Sequence, residues 1–263
     1  MKLELLTREP KGEARPTPVL FIHGAWHGAW CWEETFLPYF SHHGYVCHAV
    51  SLRGHGNSEG HERLFWARIG DYVNDVAWVV GEMRTPPVLV GHSMGGHVVQ
   101  KYLETHDAPA AVLLAPVPRK GIAGFVMRVA RRHPALFLKF LATLKPYQAV
   151  STPELVREMF FSPDVEEEKV ARCHARLQNE SFLSVLDMLL LDLPHPKRVK
   201  KTPMLLLAAE GDNIFTVAEE EDTASAYGLR AEVFPRIAHD MMLERGWKDV
   251  ADRILDWLRD HDL

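Results

Sequence analysis

The stretch Val88-Leu89-Val90-Gly91-His92-Ser93-Met94-Gly95-Gly96 decides how this chain is read. Three branched apolar residues, followed at once by a glycine-rich turn and then by His97, Val98, Gln100, Tyr102 and Leu103 at helical spacing, describe a strand that bends sharply into a helix. A serine at the tip of such a bend is exposed, and the small residues Gly91 and Gly95 let the backbone turn tightly around it, with His92 packing into the elbow. The helix that begins at Met94 presents N–H groups and the positive end of its dipole to any charge that develops there. Ser93 is therefore the candidate nucleophile.

Working outward, short apolar runs bounded by turn residues recur at 18–22, 45–50, 110–115, 203–208 and 230–234. Their near-continuous Val, Leu, Ile and Ala content, without polar alternation, fits strands covered on both faces, as in a parallel sheet. Helical spacing lies between them: Ile69, Tyr72, Val73, Val76, Val80 and Met83 form one apolar stripe, and Trp247, Val250, Ala251, Ile254 and Leu258 another. Strand and helix alternate, which predicts an α/β fold with right-handed crossovers.

The alternation breaks between residues 117 and 200. Phe125, Val129, Leu136, Phe140, Leu144, Met159, Phe160, Phe182, Leu186 and Leu189 recur there at helix-like steps, bracketed by Pro116, Pro118, Pro194 and Pro196. The expected organisation is a core of residues 1–116 and 201–263 carrying a helical cap, 117–200, over the C-terminal edge of the sheet. The first part of that cap, residues 117–145, holds seven cations (Arg119, Lys120, Arg128, Arg131, Arg132, Lys139, Lys145) and no acid. Its amphipathic pattern predicts an apolar side over a substrate pocket and a basic side that is solvated, paired with acids elsewhere, or facing anionic lipid or an anionic acyl headgroup.

A serine nucleophile needs a base and an orienting acid, and after this kind of turn the acid precedes the histidine in the chain. Asp212 follows the strand run that ends at Ala208, and His239 follows the run that ends at Phe234. Both fall at C-terminal strand ends, where open parallel sheets place their sites. Glu210 and Asp240 are rival acids. Acyl transfer also needs two donors for an oxyanion. The residue after the nucleophile supplies the Met94 N–H, and the turn His23-Gly24-Ala25-Trp26 predicts the Ala25 N–H as the second, with Trp26 as the rival. Trp26, Phe125, Phe140, Phe160 and Met241 are the candidate pocket residues.

Taken in order, His23-Gly24-Ala25-Trp26, Arg53-Gly54-His55-Gly56-Asn57-Ser58, Gly91-His92-Ser93-Met94-Gly95-Gly96, Gly211-Asp212 and Ala238-His239-Asp240 resemble the alpha/beta-hydrolase superfamily over nearly the whole chain. The resemblance implies an eight-stranded, mostly parallel sheet, a Ser93-His239-Asp212 triad and a helical cap. It looks most like the bacterial serine carboxylesterases, monoacylglycerol lipases and lysophospholipases. The stretch 23–32 is also similar to plant methylesterases and hydroxynitrile lyases, but Gly24 and Asp240 stand where the lyases carry Thr and Lys. Ser93 excludes the aspartate-nucleophile chemistry of the haloalkane dehalogenases. The expected substrate is a small ester with a hydrophobic acyl group. Lactone, thioester or amide hydrolysis and perhydrolysis use the same triad, and a receptor that binds without turnover is the reading from another class.

Composition narrows the rest. The chain has 30 Lys and Arg against 35 Asp and Glu, so no global basic field exists for nucleic acid. Gly54, Gly56 and Gly60 do not have dinucleotide-binding spacing, and His61-Glu62 lacks the second histidine of a zinc-protease helix, so neither cofactor nor metal is expected. Cys31, Cys47 and Cys173 have no Cys-x-x-Cys spacing and read as free thiols. The polar N-terminus has no apolar signal segment, which predicts a cytoplasmic protein; nothing in the sequence fixes an oligomeric state.

Overall fold

A computed structural model describes residues 1–263. Seven strands form one sheet: β1 (Glu4–Arg8), β2 (Val19–Ile22), β3 (Cys47–Ser51), β4 (Val88–His92), β5 (Ala111–Leu114), β6 (Met204–Ala209) and β7 (Ala231–Phe234). Their spatial order is β1-β3-β2-β4-β5-β6-β7. Every pairing is parallel except β1 with β3. Strands β2, β4, β5 and β6 are buried along their whole length, which is why each is a continuous apolar run.

The count corrects the expectation of eight strands. All six apolar runs are strands, and the seventh, β1, escaped notice because Glu4-Leu5-Leu6-Thr7-Arg8 is a mostly exposed edge strand paired on one side only. Residues 9–18, which carry Pro10, Pro16 and Pro18, connect β1 to β2 without forming a strand.

Helices cover both faces: α1 (Phe36–His42), α2 (Ile69–Glu82), α3 (Met94–Tyr102), α9 (Val217–Ala226) and α10 (Trp247–Asp260) pack around the sheet. Between β5 and β6 the chain carries helices and no strand: α4 (Ala123–Arg132), α5 (Pro134–Thr143), α6 (Pro153–Phe160), α7 (Glu167–Arg176) and α8 (Phe182–Leu186). Helix α5 starts on Pro134, whose missing N–H costs nothing at a first turn. Thr152 and Ser181 cap α6 and α8 through their hydroxyls.

Helices α4 and α5 contain no fully buried residue. Phe125, Val126 and Val129 on α4 and Leu136, Phe137 and Phe140 on α5 nevertheless converge on one cavity. Four of the seven cations of 117–145 are paired: Arg119 and Lys120 with Asp222, Arg128 with Glu219, and Arg132 with Glu158. The outer side of the same helices exposes Met127, Leu138, Leu141 and Leu144. No helix is long and apolar enough to cross a membrane. The three cysteines are free and buried.

Candidate active site

Ser93 sits between β4 and α3 with φ 52° and ψ −116°, a conformation that costs a non-glycine residue about 1–3 kcal/mol. Its surroundings hold it there. The Ser93 N–H donates to the Leu114 carbonyl at 3.0 Å, and its own carbonyl accepts from the N–H groups of His97 and Val117 at 3.1 and 3.0 Å. The glycines explain the close packing: a Cβ on Gly91 would lie 2.5 Å from the Gly95 carbonyl oxygen, and one on Gly95 would lie 2.3 Å from that of Ile22. Only hydrogen fits where α3 approaches the sheet.

Asp212, beyond the end of β6, and His239, beyond the end of β7, are joined by a 2.7 Å hydrogen bond from Nδ1 to Oδ2. A carboxylate only accepts, so Nδ1 carries the proton and Nε2 is left as the basic nitrogen. The other carboxylate oxygen, Oδ1, accepts from the N–H groups of Ile214 and Phe215 at 2.6 and 3.0 Å, which fixes the acid as well as the imidazole. The rival acids have other roles. Glu210 is exposed and accepts from the Arg236 N–H; Asp240 is sealed in the interior and faces His27.

His92 is more than elbow packing. Both ring faces are buried, and Nε2 donates to the His239 carbonyl at 3.0 Å, so the residue before the serine holds the histidine loop in place. Burial, with the neighbouring His239 ring, pulls the imidazole down to about 3, so it stays neutral and keeps the tautomer this bond requires.

On the opposite side lies the turn 23–27. His23 accepts the Leu52 N–H at Nε2 (3.0 Å) and faces the Gly24 carbonyl with Nδ1 (2.8 Å), both buried. Trp26 takes a positive φ of 66°. Its N–H points to Glu180 Oε2 at 3.4 Å, so the rival oxyanion donor is already engaged, whereas the Ala25 N–H has no hydrogen-bond acceptor in the protein. His27 faces the Ala25 carbonyl with Nδ1 (2.8 Å) and Asp240 Oδ2 with Nε2 (3.0 Å). Burial alone would lower the His27 imidazole; the Asp240 carboxylate overrides it and raises it above the usual histidine range. Sequence reasoning missed His27. Its only signal is a second histidine four residues after His23, and nothing local to the chain indicates that its partner is Asp240.

Ala25, Trp26, Ser93 and Met94 together form the floor of a cavity roofed by α4 and α5. Nineteen residues line it and sixteen are hydrophobic, so it suits an aliphatic or aromatic group. Of the expected pocket residues, Trp26, Phe125 and Phe140 line it. Phe160 and Met241 do not. Phe160 packs against the His239 ring, with 6.1 Å between centroids, and against Trp26 at 5.9 Å. Met241, two residues past His239 on a tight turn, points into the core and is fully buried. The sequence missed Ile214 and Phe215, which line the cavity directly after Asp212.

The donor atoms of His27, Cys173 and Asp240 lie within 4.8 Å of one another, the one such grouping of metal-binding side chains, and two of the three are already engaged by their own ion pair.

A sharp strand-to-helix serine, a hydrogen-bonded Asp–His pair at two later strand ends and a helical segment between β5 and β6 define a class of hydrolase. Residues 19–253 match the alpha/beta hydrolase family, and the chain belongs to that family. Among individual relatives, it is 26% identical to a monoacylglycerol lipase of Mycolicibacterium smegmatis over 83% of this chain and 79% of that one. Solved structures of similar fold include an esterase from Exiguobacterium antarcticum, with a TM-score of 0.76 at 18% identity over 98% of this chain and 95% of that one. A monoacylglycerol lipase of Paleococcus ferrophilus is similar with a TM-score of 0.73, at 21% identity over 99% and 100% of the two chains.

Proposed function

We propose that this protein is a serine esterase that cleaves small carboxylic esters with a hydrophobic acyl group through an acyl-enzyme. The observations that carry the reading are the 2.7 Å Asp212–His239 hydrogen bond and a strained Ser93 at the floor of an apolar cavity. In this reading His239 Nε2 takes the Ser93 hydroxyl proton as Oγ attacks the ester carbonyl. The resulting oxyanion accepts hydrogen bonds from the Ala25 and Met94 N–H groups, each worth about 3 kcal/mol in the transition state. Collapse expels the alkoxide, which takes the proton from His239. Water, deprotonated by the same imidazole, then releases the acid and regenerates Ser93. The helices of 117–200 act as a cap whose inner side holds the acyl chain.

The test is hydrolysis of p-nitrophenyl esters from C2 to C12 by the wild type and by Ser93→Ala, with a fluorophosphonate label. Turnover lost in the variant, with the label on Ser93, supports the reading. Labelling without turnover redirects it to lactones, thioesters, amides or a receptor; absence of label overturns Ser93 as the nucleophile.

The outer side of the cap favours a second role for the same helices. Exposed Met127, Leu138, Leu141 and Leu144 share α4, α5 and the two residues after α5 with Arg131, Lys139 and Lys145, cations with no acidic partner in the structure. Apolar side chains interleaved with free cations suit an anionic lipid surface. Sedimentation with phosphatidylglycerol vesicles, reduced at high salt and by Leu138→Glu, is the expected result; equal binding to neutral phosphatidylcholine vesicles overturns it.

A further inference from the structure

The turn that carries the Ala25 N–H is held from the far side by a short segment of the helical insert, between α7 and α8. Trp26, the residue after Ala25, is gripped at both of its backbone polar groups: its carbonyl accepts the Gln178 N–H at 3.0 Å, and its N–H points to Glu180 Oε2 at 3.4 Å. A positive φ at a tryptophan is unfavourable and persists only when its neighbours over-determine it. Here they do.

Gln178 also bridges to the loop after β3. Its Oε1 accepts the Gly56 N–H at 2.8 Å, and its Nε2 donates to the Gly54 carbonyl. Glu180 is a buried carboxylate with every lone pair occupied. Oε2 faces His55 Nε2 at 3.0 Å, and Oε1 accepts from the Tyr72 hydroxyl at 2.8 Å and the Ser181 N–H at 2.6 Å, while the Ser184 hydroxyl bonds the Ser181 carbonyl at 2.9 Å. Burial opposes its charge, but the His55 ring and these donors outweigh burial and hold the carboxyl below the ordinary glutamate range. A carboxylate desolvated this completely, and met by donors from α2, the segment before α8 and two loops, has little freedom to move.

We propose that Glu180, with Gln178, is a positioning residue for the oxyanion-binding turn, so that the helical insert is an obligate part of the catalytic machinery and not only a cover for the pocket. The inference rests on the serine-esterase reading above. It acts through Trp26: if the grip on residue 26 loosens, the Ala25 N–H loses the direction in which it must meet the developing oxyanion, while the ground-state acyl chain still packs in the same apolar cavity. Transition-state binding falls and substrate binding does not.

The experiment compares wild type with Glu180→Gln and with Asp187→Asn. Asp187 is an equally buried carboxylate of the insert, but it holds the Arg68 guanidinium and the Ile69 N–H and does not touch residue 26. Five quantities are read: kcat and KM for the best p-nitrophenyl ester, affinity for an alkyl boronic acid that forms a tetrahedral adduct on Ser93, Tm, and hydrogen exchange of the segment 23–27. Glu180→Gln is expected to lower kcat about 10- to 100-fold with KM within about twofold, a partial loss of one oxyanion donor. It should weaken boronate binding by the same factor and speed exchange at 23–27. Asp187→Asn should lower Tm and leave kcat and boronate affinity near wild type. Glu180→Gln with lower Tm but unchanged boronate affinity overturns the proposal, as does an equal loss of boronate affinity in Asp187→Asn. A wild type that neither turns over nor labels at Ser93 overturns the esterase reading itself, and with it the catalytic meaning of the grip. A wild-type enzyme with an indifferent Glu180→Gln overturns only the latter.

Discussion

Asp240 Oδ2 and His27 Nε2 lie 3.0 Å apart in the interior, an ion pair that joins the residue after the general-base candidate to the turn that carries the Ala25 N–H. The other His27 nitrogen bonds the Ala25 carbonyl, and His92 bonds the His239 carbonyl. The turn at Ser93, the loop at His239 and the turn 23–27 are therefore laced together by buried side chains that take no part in the proposed chemistry. Reacting groups must be held to fractions of an ångström, and loops alone do not achieve that.

Removing Asp240 leaves the buried His27 imidazole without its counter-charge and Nε2 without its acceptor. Asp240→Asn is expected to cost about 3–5 kcal/mol of unfolding free energy near pH 6, measured by urea denaturation. The pH dependence has a definite sign. The His27 imidazole is raised above 6.5, so its contribution is fully present below 6.5 and is lost as pH rises through the raised value. The Asp240 carboxyl, which burial would raise, is lowered below 3.8 by His27, so its contribution is present above 3.8 and is lost as pH falls through the lowered value. The difference between wild type and Asp240→Asn should be largest between pH 3.8 and 6.5 and shrink on either side; a flat difference refutes the pairing.

Asp212→Asn tests the acid bonded to His239. The amide preserves the shape but leaves the imidazole in the wrong tautomer, with its proton on the nitrogen that should face Ser93. A loss of about three to four orders of magnitude in kcat is expected for the best p-nitrophenyl ester, with Tm changed by only a few degrees. Retention of more than a tenth of the activity would transfer the role to another acid.

Glu220, on α9, is fully buried and neither carboxylate oxygen has a hydrogen-bond partner. Burial pushes its carboxyl well above 4.5, with the Asp212 charge adding to the effect. The native state keeps a proton that the unfolded chain releases, so stability falls as pH rises from 4.5 toward the raised value. Glu220→Met, which keeps the volume and removes the buried acid, is expected to raise Tm at pH 8 by several degrees and at pH 4 by little. Thermal melts across that range decide it, and a Tm lowered at both ends would mean that the carboxyl has a partner.

The cavity wall formed by α4 and α5 should set acyl length. Val129→Phe narrows it on one helix and Phe140→Ala opens it on the other. The first is expected to shift the optimum toward C2–C4 esters and the second toward longer chains, each changing kcat/KM for the disfavoured ester by about 10-fold or more, since one methylene in an apolar pocket is worth about 1–3 kcal/mol. Equal effects on all chain lengths would place the acyl group elsewhere.

Much of this molecule was legible before folding because its signals are local. A strand covered on both faces must be apolar throughout, as 88–90 and 204–208 are, and a serine on a bend that tight must have Gly91 and Gly95 beside it. The order Ser93, Asp212, His239 follows from strand ends that the same runs mark. What depends on distant partners was not legible. Edge strand β1 carries no such run because one of its sides meets water. Asp212 and Asp240 stand in similar turns, and only the direction each side chain takes from the sheet decides that one meets His239 and the other His27. Glu180 meets Trp26 across 154 residues of chain. Burial periodicity and turn chemistry are written in neighbours a few positions apart, whereas the partner of a buried polar group is chosen in three dimensions among chemically equivalent candidates, by which one can satisfy it without leaving another unpaired.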